Sequence, residues 1–176
     1  MISLKEILSI KKLNVFDFDG TLVNTDSKVY VTHSNATKSK LDADEFNKYK
    51  TKSGDKFDYS EFFDLDYLIN PKLIKSVFNK FKNSIRDKKS KTIILTNRKN
   101  TIGIRNYFNK KLKLSGFDII GTGIPNPSGK YNILKSMIEK YGFNHIEIYD
   151  DSSSNLNVLK KLENVIPNIT INVHKV

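Results

Sequence analysis

The chain alternates between short apolar runs and longer amphipathic stretches. Runs rich in β-branched and aromatic residues at 13–18, 92–95, 117–121, 146–149 and 169–173 read as strands. The first belongs at the centre of a sheet and the last at an edge. Between them, apolar positions recur at helical spacing. Leu73, Ile74, Val77, Phe78, Phe81 and Ile85 form one such set, with Pro71 at the first helical position. Ile104, Tyr107, Phe108 and Leu112 form a second, and Ile133, Leu134, Met137, Ile138 and Tyr141 a third, which Gly142 stops. Ser152 or Ser153 caps a last helix running to Leu162. Strands alternating with helices predict an α/β fold, with a Rossmann-like, mainly parallel sheet and helices on both faces.

Two stretches break this rhythm. Residues 24–70 are polar and rich in Lys, Asp and Tyr, and read as a small insertion after the first strand, with a helix starting at Asp42-Ala43-Asp44-Glu45-Phe46. Its aromatics Phe57, Tyr59, Phe62, Phe63 and Tyr67 suit a small core better than a base-stacking platform. Residues 123–129, Gly-Ile-Pro-Asn-Pro-Ser-Gly, are a breaker-rich loop that delivers Lys130 at the start of the third helix. Residues 1–8 read as a short leading helix.

A chain of 176 residues, 38% hydrophobic, suits one domain over 1–176 with room for that insertion. Charges within the first eight residues argue against a secretory signal, and no apolar run approaches the roughly 18 residues that cross a membrane. There is no cysteine, hence no disulfide and no thiolate metal site, which fits a cytoplasmic, intracellular setting. His33, His145 and His174 show no metal spacing.

The chemistry gathers at strand ends. Val15-Phe16-Asp17-Phe18-Asp19-Gly20-Thr21-Leu22 is an apolar strand ending in two carboxylates and a Gly-Thr turn. Two more strands end in Thr96-Asn97-Arg98 and in Asp150-Asp151-Ser152. In an open parallel sheet the carboxyl ends share one edge, so these groups and Lys130 meet in one crevice. Crowded carboxylates repel one another unless a cation or proton sits among them. The set holds a nucleophilic carboxylate, a second acid, oxygen ligands for Mg²⁺, and cations and hydroxyls for phosphate oxygens, as phosphoryl transfer requires.

The order Asp-x-Asp-Gly-Thr, strand-end Thr, Lys, Asp-Asp resembles the haloacid dehalogenase (HAD) superfamily of phosphohydrolases, over about 13–162. The resemblance implies that Asp17 is the nucleophile, forming an aspartyl-phosphate, and that Asp19 is the acid/base. Thr96 and Lys130 are then catalytic and, with Asn97 and Arg98, bind substrate. The metal set is Asp17, Asp19 (through its carbonyl), Asp150 and Asp151, and residues 24–70 act as a cap. The sequence departs from many relatives at Tyr149, which replaces Gly, and at Ser154 and Asn155, where a further acid often stands.

The net charge of +11 is unevenly spread. From 72 to 113 there are fourteen Lys/Arg and one acid, Asp87; from 42 to 66 there are eight acids and four lysines. A basic stretch beside a phosphate site suggests a polyanionic substrate, and a solvated lysine face explains it equally well. The Thr-Asn-Arg end and the plain Asp-Asp ending carry a weaker likeness to HAD phosphatase domains of polynucleotide end-healing and RNA-repair proteins. The expected activity is thus a Mg²⁺-dependent phosphatase for phosphorylated substrates, with nucleic-acid ends as one class. The alternatives are a nucleotidase or small-metabolite phosphatase, a receiver-type phosphoacceptor, and a non-catalytic HAD-fold binding module.

Overall fold

The computed structural model describes residues 11–176, so the leading helix expected over 1–8 lies outside the described residues. Five parallel strands form the central sheet: β1 (Lys12–Phe16), β7 (Ser90–Thr96), β8 (Asp118–Gly121), β9 (His145–Asp150) and β10 (Thr170–Lys175). Their order is β10-β9-β1-β7-β8, which puts β1 at the centre and β10 at an edge, as the sequence predicts. Leu13 and Val15 of β1 face one side, where they pack with Leu134 and Ile138 of α5 (Pro127–Tyr141) and Leu156 and Leu159 of α6 (Ser153–Lys160). Phe16 faces the other side, against Phe78 and Phe81 of α3 (Lys75–Arg86) and Ile104 of α4 (Ile102–Asn106). A strand buried on both faces must be nearly all apolar, which is why it reads as a continuous run. Its one amide, Asn14, is buried and satisfied, donating to Ser90 Oγ at 2.9 Å. The fold is therefore α/β and Rossmann-like, with helices on both faces of a parallel sheet.

Two boundaries differ from the sequence reading. The first strand stops at Phe16 because the chain turns there. Leu22 and Val23 both donate to the Phe18 carbonyl, and Gly20 adopts φ +74°. The helix expected from Pro71 begins at Lys75 instead. Leu73 pairs antiparallel with Val23, and Ile74 N donates to the Leu22 carbonyl, so Pro71 precedes a short strand rather than a helix.

These paired strands, β2 (Val23–Asn24) and β6 (Lys72–Leu73), are the stem through which the insertion leaves and returns. The insertion is more ordered than its composition suggests. Strands β3 (Val29–Thr32), β4 (Lys38–Leu41) and β5 (Lys56–Asp58) make an antiparallel sheet in the order β4-β3-β5, with helices α1 (Ala43–Lys48) and α2 (Ser60–Phe63). The helix start read at Asp42 is present as a reciprocal cap. The Asp42 side chain accepts from Glu45 N, and the Glu45 side chain accepts from Asp42 N. His33 bridges Asp55 at 2.9 Å and Ser39 at 2.8 Å, and the Tyr49 hydroxyl donates to Asp55 at 2.7 Å, tying the hairpin to the following loop. No helix among the described residues is long and apolar enough to cross a membrane.

Candidate active site

All strands of the central sheet point the same way, so the ends of β1, β7 and β9 lie along one edge. Asp17 follows β1, Asp150 ends β9, and Thr96 ends β7. Asn126 caps α5 by accepting from Ser128 N, and Pro127 occupies the first turn, where no N–H is required. This geometry brings Lys130 inward. Its ammonium donates to Asp17 Oδ1 at 2.6 Å and to Asp150 Oδ2 at 2.7 Å. Lys130 is only 2% exposed, so it is a buried bridge rather than an open helix-start cation. Asp150 also accepts from Asn155 Nδ2, at 3.0 Å to each oxygen, and from Ser152 N at 2.8 Å. Thr21 joins the two loops, accepting from Asp151 N at 3.0 Å and donating to Asp17 at 3.4 Å.

Carboxylate oxygens of Asp17, Asp150 and Asp151 all come within 4.8 Å of one another. Three carboxylates face one ammonium, which leaves two negative charges uncompensated. Burial pushes Asp17 well above its ordinary range; Lys130 opposes this, and Asp150 and Asp151 add to it. Burial, followed by Asp150, pushes Asp151 up to about 6. Burial works against the Lys130 charge, but Asp150 and Asp17 outweigh it and hold the ammonium above its usual value. An all-oxygen donor set with a surplus of two charges fits a hard divalent cation such as Mg²⁺. Asp17 and Asp151 are best placed to ligate it. Asp150 already accepts from three donors, whereas among the described residues only Asn47 donates to Asp151, at 2.8 Å to Oδ2.

A stability test follows. Between pH 4 and 6 folded Asp151 keeps a proton that an unfolded carboxyl with an ordinary value of 3.8 has released. The stability it lends is complete below about 4 and lost as pH rises through about 6. The metal-free protein is expected to lose about 1 kcal/mol from this group between pH 5 and 7, with Asp17 adding in the same direction. Urea unfolding with a chelator at the two pH values measures this, and Mg²⁺ at pH 7 restores the loss. Metal-free stability that climbs from pH 5 to 7 contradicts the clustered acids.

Gly20 guards the same carboxylate. A Cβ there would meet Asp151 Oδ2 at 2.6 Å and Cγ at 2.8 Å, on a backbone already at φ +74°. Gly20→Ala is expected to displace Asp151 and weaken Mg²⁺ binding about tenfold, a first-to-outer-sphere scale of effect. Gly142→Ala is the control. It has φ +68°, but its Cβ meets only Lys11 Nζ at 3.5 Å, so it carries the backbone strain without touching the acids. Calorimetric Mg²⁺ titration of both variants separates the two effects, and equal affinities contradict this role of Gly20.

Two expected site residues are tied to each other. The Asp19 carboxylate does not join the acid cluster. Both its oxygens accept from Arg98, Oδ2 from Nε and Oδ1 from Nη2, each at 2.8 Å. Arg98, expected as a substrate contact, is 2% exposed, and its Nε and Nη2 are engaged while Nη1 has one long contact. It also donates to Thr25 Oγ1 (3.1 Å), Ser27 Oγ (3.2 Å) and the Glu61 carbonyl (3.4 Å), and lies 4.7 Å from the Phe62 ring centroid. All four of these partners belong to the insertion. The guanidinium is engaged because the insertion folds back over the end of β7.

Asp17, Asp19, Thr96, Asn97, Arg98, Lys130 and Asp151 line one cavity of about 210 Å³. Thr96 is buried, and its Oγ1 accepts from Arg98 N, leaving the hydroxyl proton free to donate. Asn97 accepts from Thr122 Oγ1 through its carbonyl, which leaves the amide NH₂ for a ligand. The outer wall is aromatic and comes from the insertion: Phe46, Tyr59, Phe62 and Phe63. Phe57, Tyr59 and Phe63 pack on one another, as the expected small core, but stay half-buried, and Tyr67 is exposed. Half of the basic stretch is turned away from the crevice. Of its fourteen basic residues only Arg98 lines the cavity. Arg86, Lys88, Lys89 and Lys91 precede or begin β7, and Lys110, Lys111 and Lys113 precede β8, which puts them toward the opposite edge of a parallel sheet.

Sequence reasoning missed Asn47, Thr25 and Ser27. Nothing local marks them, since each acts on a residue at least 71 positions away. Asn155 was visible only as the place of a missing acid; its amide holds Asp150 instead. Comparison of the chain with family models, curated proteins and solved structures returns no match.

Proposed function

We propose that this chain is a Mg²⁺-dependent phosphomonoester hydrolase of the HAD type, working through an aspartyl-phosphate on Asp17. The observation that carries this reading is the Asp17-Lys130-Asp150 bridge, with Asp151 alongside, at the floor of a cavity also lined by Thr96 and Asn97. Asp17 attacks phosphorus through a carboxylate oxygen, and the bond from phosphorus to the leaving oxygen breaks. Asp19 gives that oxygen its proton, which requires the Asp19 carboxyl to take up a proton and one of its oxygens to be released from Arg98. Water then attacks phosphorus, Asp19 takes the water's proton, and the bond from phosphorus to Asp17 breaks, freeing inorganic phosphate. Lys130 balances charge on Asp17 and the transferring group, while the Thr96 hydroxyl and Asn97 amide suit phosphate oxygens. Mg²⁺, which Asp17 and Asp151 would hold, would supply further charge neutralisation for phosphoryl transfer. Phosphate release from an aryl phosphate, lost in chelator and restored by Mg²⁺, is the direct assay. A metal-replete protein inert toward a broad phosphomonoester panel contradicts the reading.

Arg98 enters as a positioning residue. It holds Asp19 in a fixed pose and ties that pose to the insertion. Asp19→Asn is expected to lower kcat/KM by about 10²–10⁴ for alkyl phosphates, whose leaving oxygen needs a proton, and by much less for nitrophenyl phosphate. Arg98→Ala is expected to follow the same leaving-group pattern with smaller amplitude. A loss that is uniform across leaving groups means that Arg98 acts on the phosphate itself.

A further inference from the structure

We propose that the aromatic wall of the cavity is a nucleobase subsite, so that the substrates are phosphorylated nucleosides, either free or at the end of a strand. The inference rests on the phosphatase reading for its reaction and on the cavity's two-zone lining for its specificity. The floor is polar and charged, with Asp17, Lys130 and Thr96. The wall, contributed by a separate lobe, is Phe46, Tyr59 and Phe63. The cavity has more room than a phosphoryl group fills, which leaves space beside the wall for part of the leaving group.

The wall has the form of a stacking platform. Tyr59 and Phe63 are nearly parallel, with centroids 5.3 Å apart at 24°. Phe57 continues the stack behind Tyr59 at 5.9 Å and 17°, and Phe46 meets Tyr59 edge-on at 5.6 Å and 84°. Such pairs hold one another's planes in place. All four rings keep part of their surface exposed, although aromatic rings gathered in one patch gain by being covered. Helices α1 and α2, which carry Phe46 and Phe63, bury no residue fully against the rest of the protein. Tyr59 has Phe63 on one face and Phe57 on the other, so the face left for a planar base is the outer face of Phe63, which Tyr59 backs, and a base needs no particular edge contact there. A flexible open-chain alkyl phosphate would cover that face poorly. Of the fourteen cations of the basic stretch only Arg98 lines the cavity, so within the cavity recognition falls on the base adjoining the cleaved phosphate.

The test compares kcat/KM, with Mg²⁺ present, for a nucleoside 5′-monophosphate, ribose 5-phosphate and a trinucleotide bearing a terminal phosphate. Base stacking is expected to favour the mononucleotide over ribose 5-phosphate by about tenfold or more. Tyr59→Leu and Phe63→Leu should each cut that ratio severalfold, and Tyr59→Phe should keep it. Circular dichroism establishes that each variant is folded, and if one leucine variant is not, the other carries the comparison. A trinucleotide turned over faster than the mononucleotide identifies strand ends as the source of the nucleoside, and the reverse identifies free nucleotides. Equal kcat/KM for mononucleotide and ribose 5-phosphate, or a ratio unmoved in the folded leucine variants, overturns the subsite and leaves the phosphatase reading standing. If no phosphomonoester is hydrolysed, that reading fails. Saturation-transfer NMR then decides the subsite alone: transfer from protein to the base protons of the mononucleotide, weakened in Tyr59→Leu, supports it, and no transfer overturns it.

Discussion

Asp17→Asn is expected to abolish phosphate release, by about 10⁴-fold or more, while leaving the protein at least as stable as wild type. The two halves of this expectation have different origins. The amide keeps the size of the carboxyl but cannot form an acyl phosphate by the same attack. The stability half comes from the cluster. Burial and the neighbouring carboxylates already push Asp17 well above its ordinary range, so its charge is a cost to the metal-free fold at neutral pH. Removing that charge relieves repulsion with Asp150 and Asp151, and Lys130 retains Asp150 at 2.7 Å. Phosphate release and a thermal melt in chelator check both halves. Near wild-type turnover means that another group is the nucleophile.

Lys130→Met is expected to lose both turnover and stability, the opposite pairing. A cation at an exposed helix start could be removed without cost to the fold. The structure instead shows an ammonium 2% exposed, shared between Asp17 and Asp150. Removing one partner of a buried ion pair costs about 3–5 kcal/mol, which for a chain of this size lowers the melting temperature by about 10 °C. Without the ammonium, the carboxyls hold their protons to still higher pH. Stability then falls as pH rises through their folded pKa values, so the deficit is smaller at pH 5 than at pH 7. Melts of wild type and variant at both pH values measure this. A variant as stable as wild type at pH 7 contradicts the buried bridge.

Much of this site was legible because parallel strands buried on both faces announce themselves as apolar runs and place their next residues at one edge. Asp17, Thr96, Asp150 and Lys130 were found in that way, the two acids and the hydroxyl at or just past a strand end and the lysine in the first turn or so of a helix. The insertion was not legible as a sheet. Lys38–Leu41 alternates exposed and half-buried positions, and Lys56–Asp58 is largely polar, so neither gives an apolar run. Arg98 shows a different limit. Its position after Thr96 suits a phosphate ligand, yet Asp19 stands 79 residues away in sequence and 2.8 Å away in space, and the insertion closes over both. Only the folded geometry reveals that this guanidinium is already occupied. The aromatic residues were readable as a group, but which side of them stays open depends on how the small sheet packs.

The most direct measurement is chemical trapping of the intermediate. Asp19→Asn, loaded with Mg²⁺ and a good-leaving-group aryl phosphate, should slow hydrolysis of the aspartyl-phosphate more than its formation. Acid quenching followed by borohydride reduction turns a phosphorylated aspartate into homoserine, which peptide mass spectrometry locates. The account predicts homoserine at position 17, dependent on Mg²⁺ and absent in Asp17→Asn. A modification at any other residue, or turnover in which no carboxylate is ever phosphorylated, contradicts it.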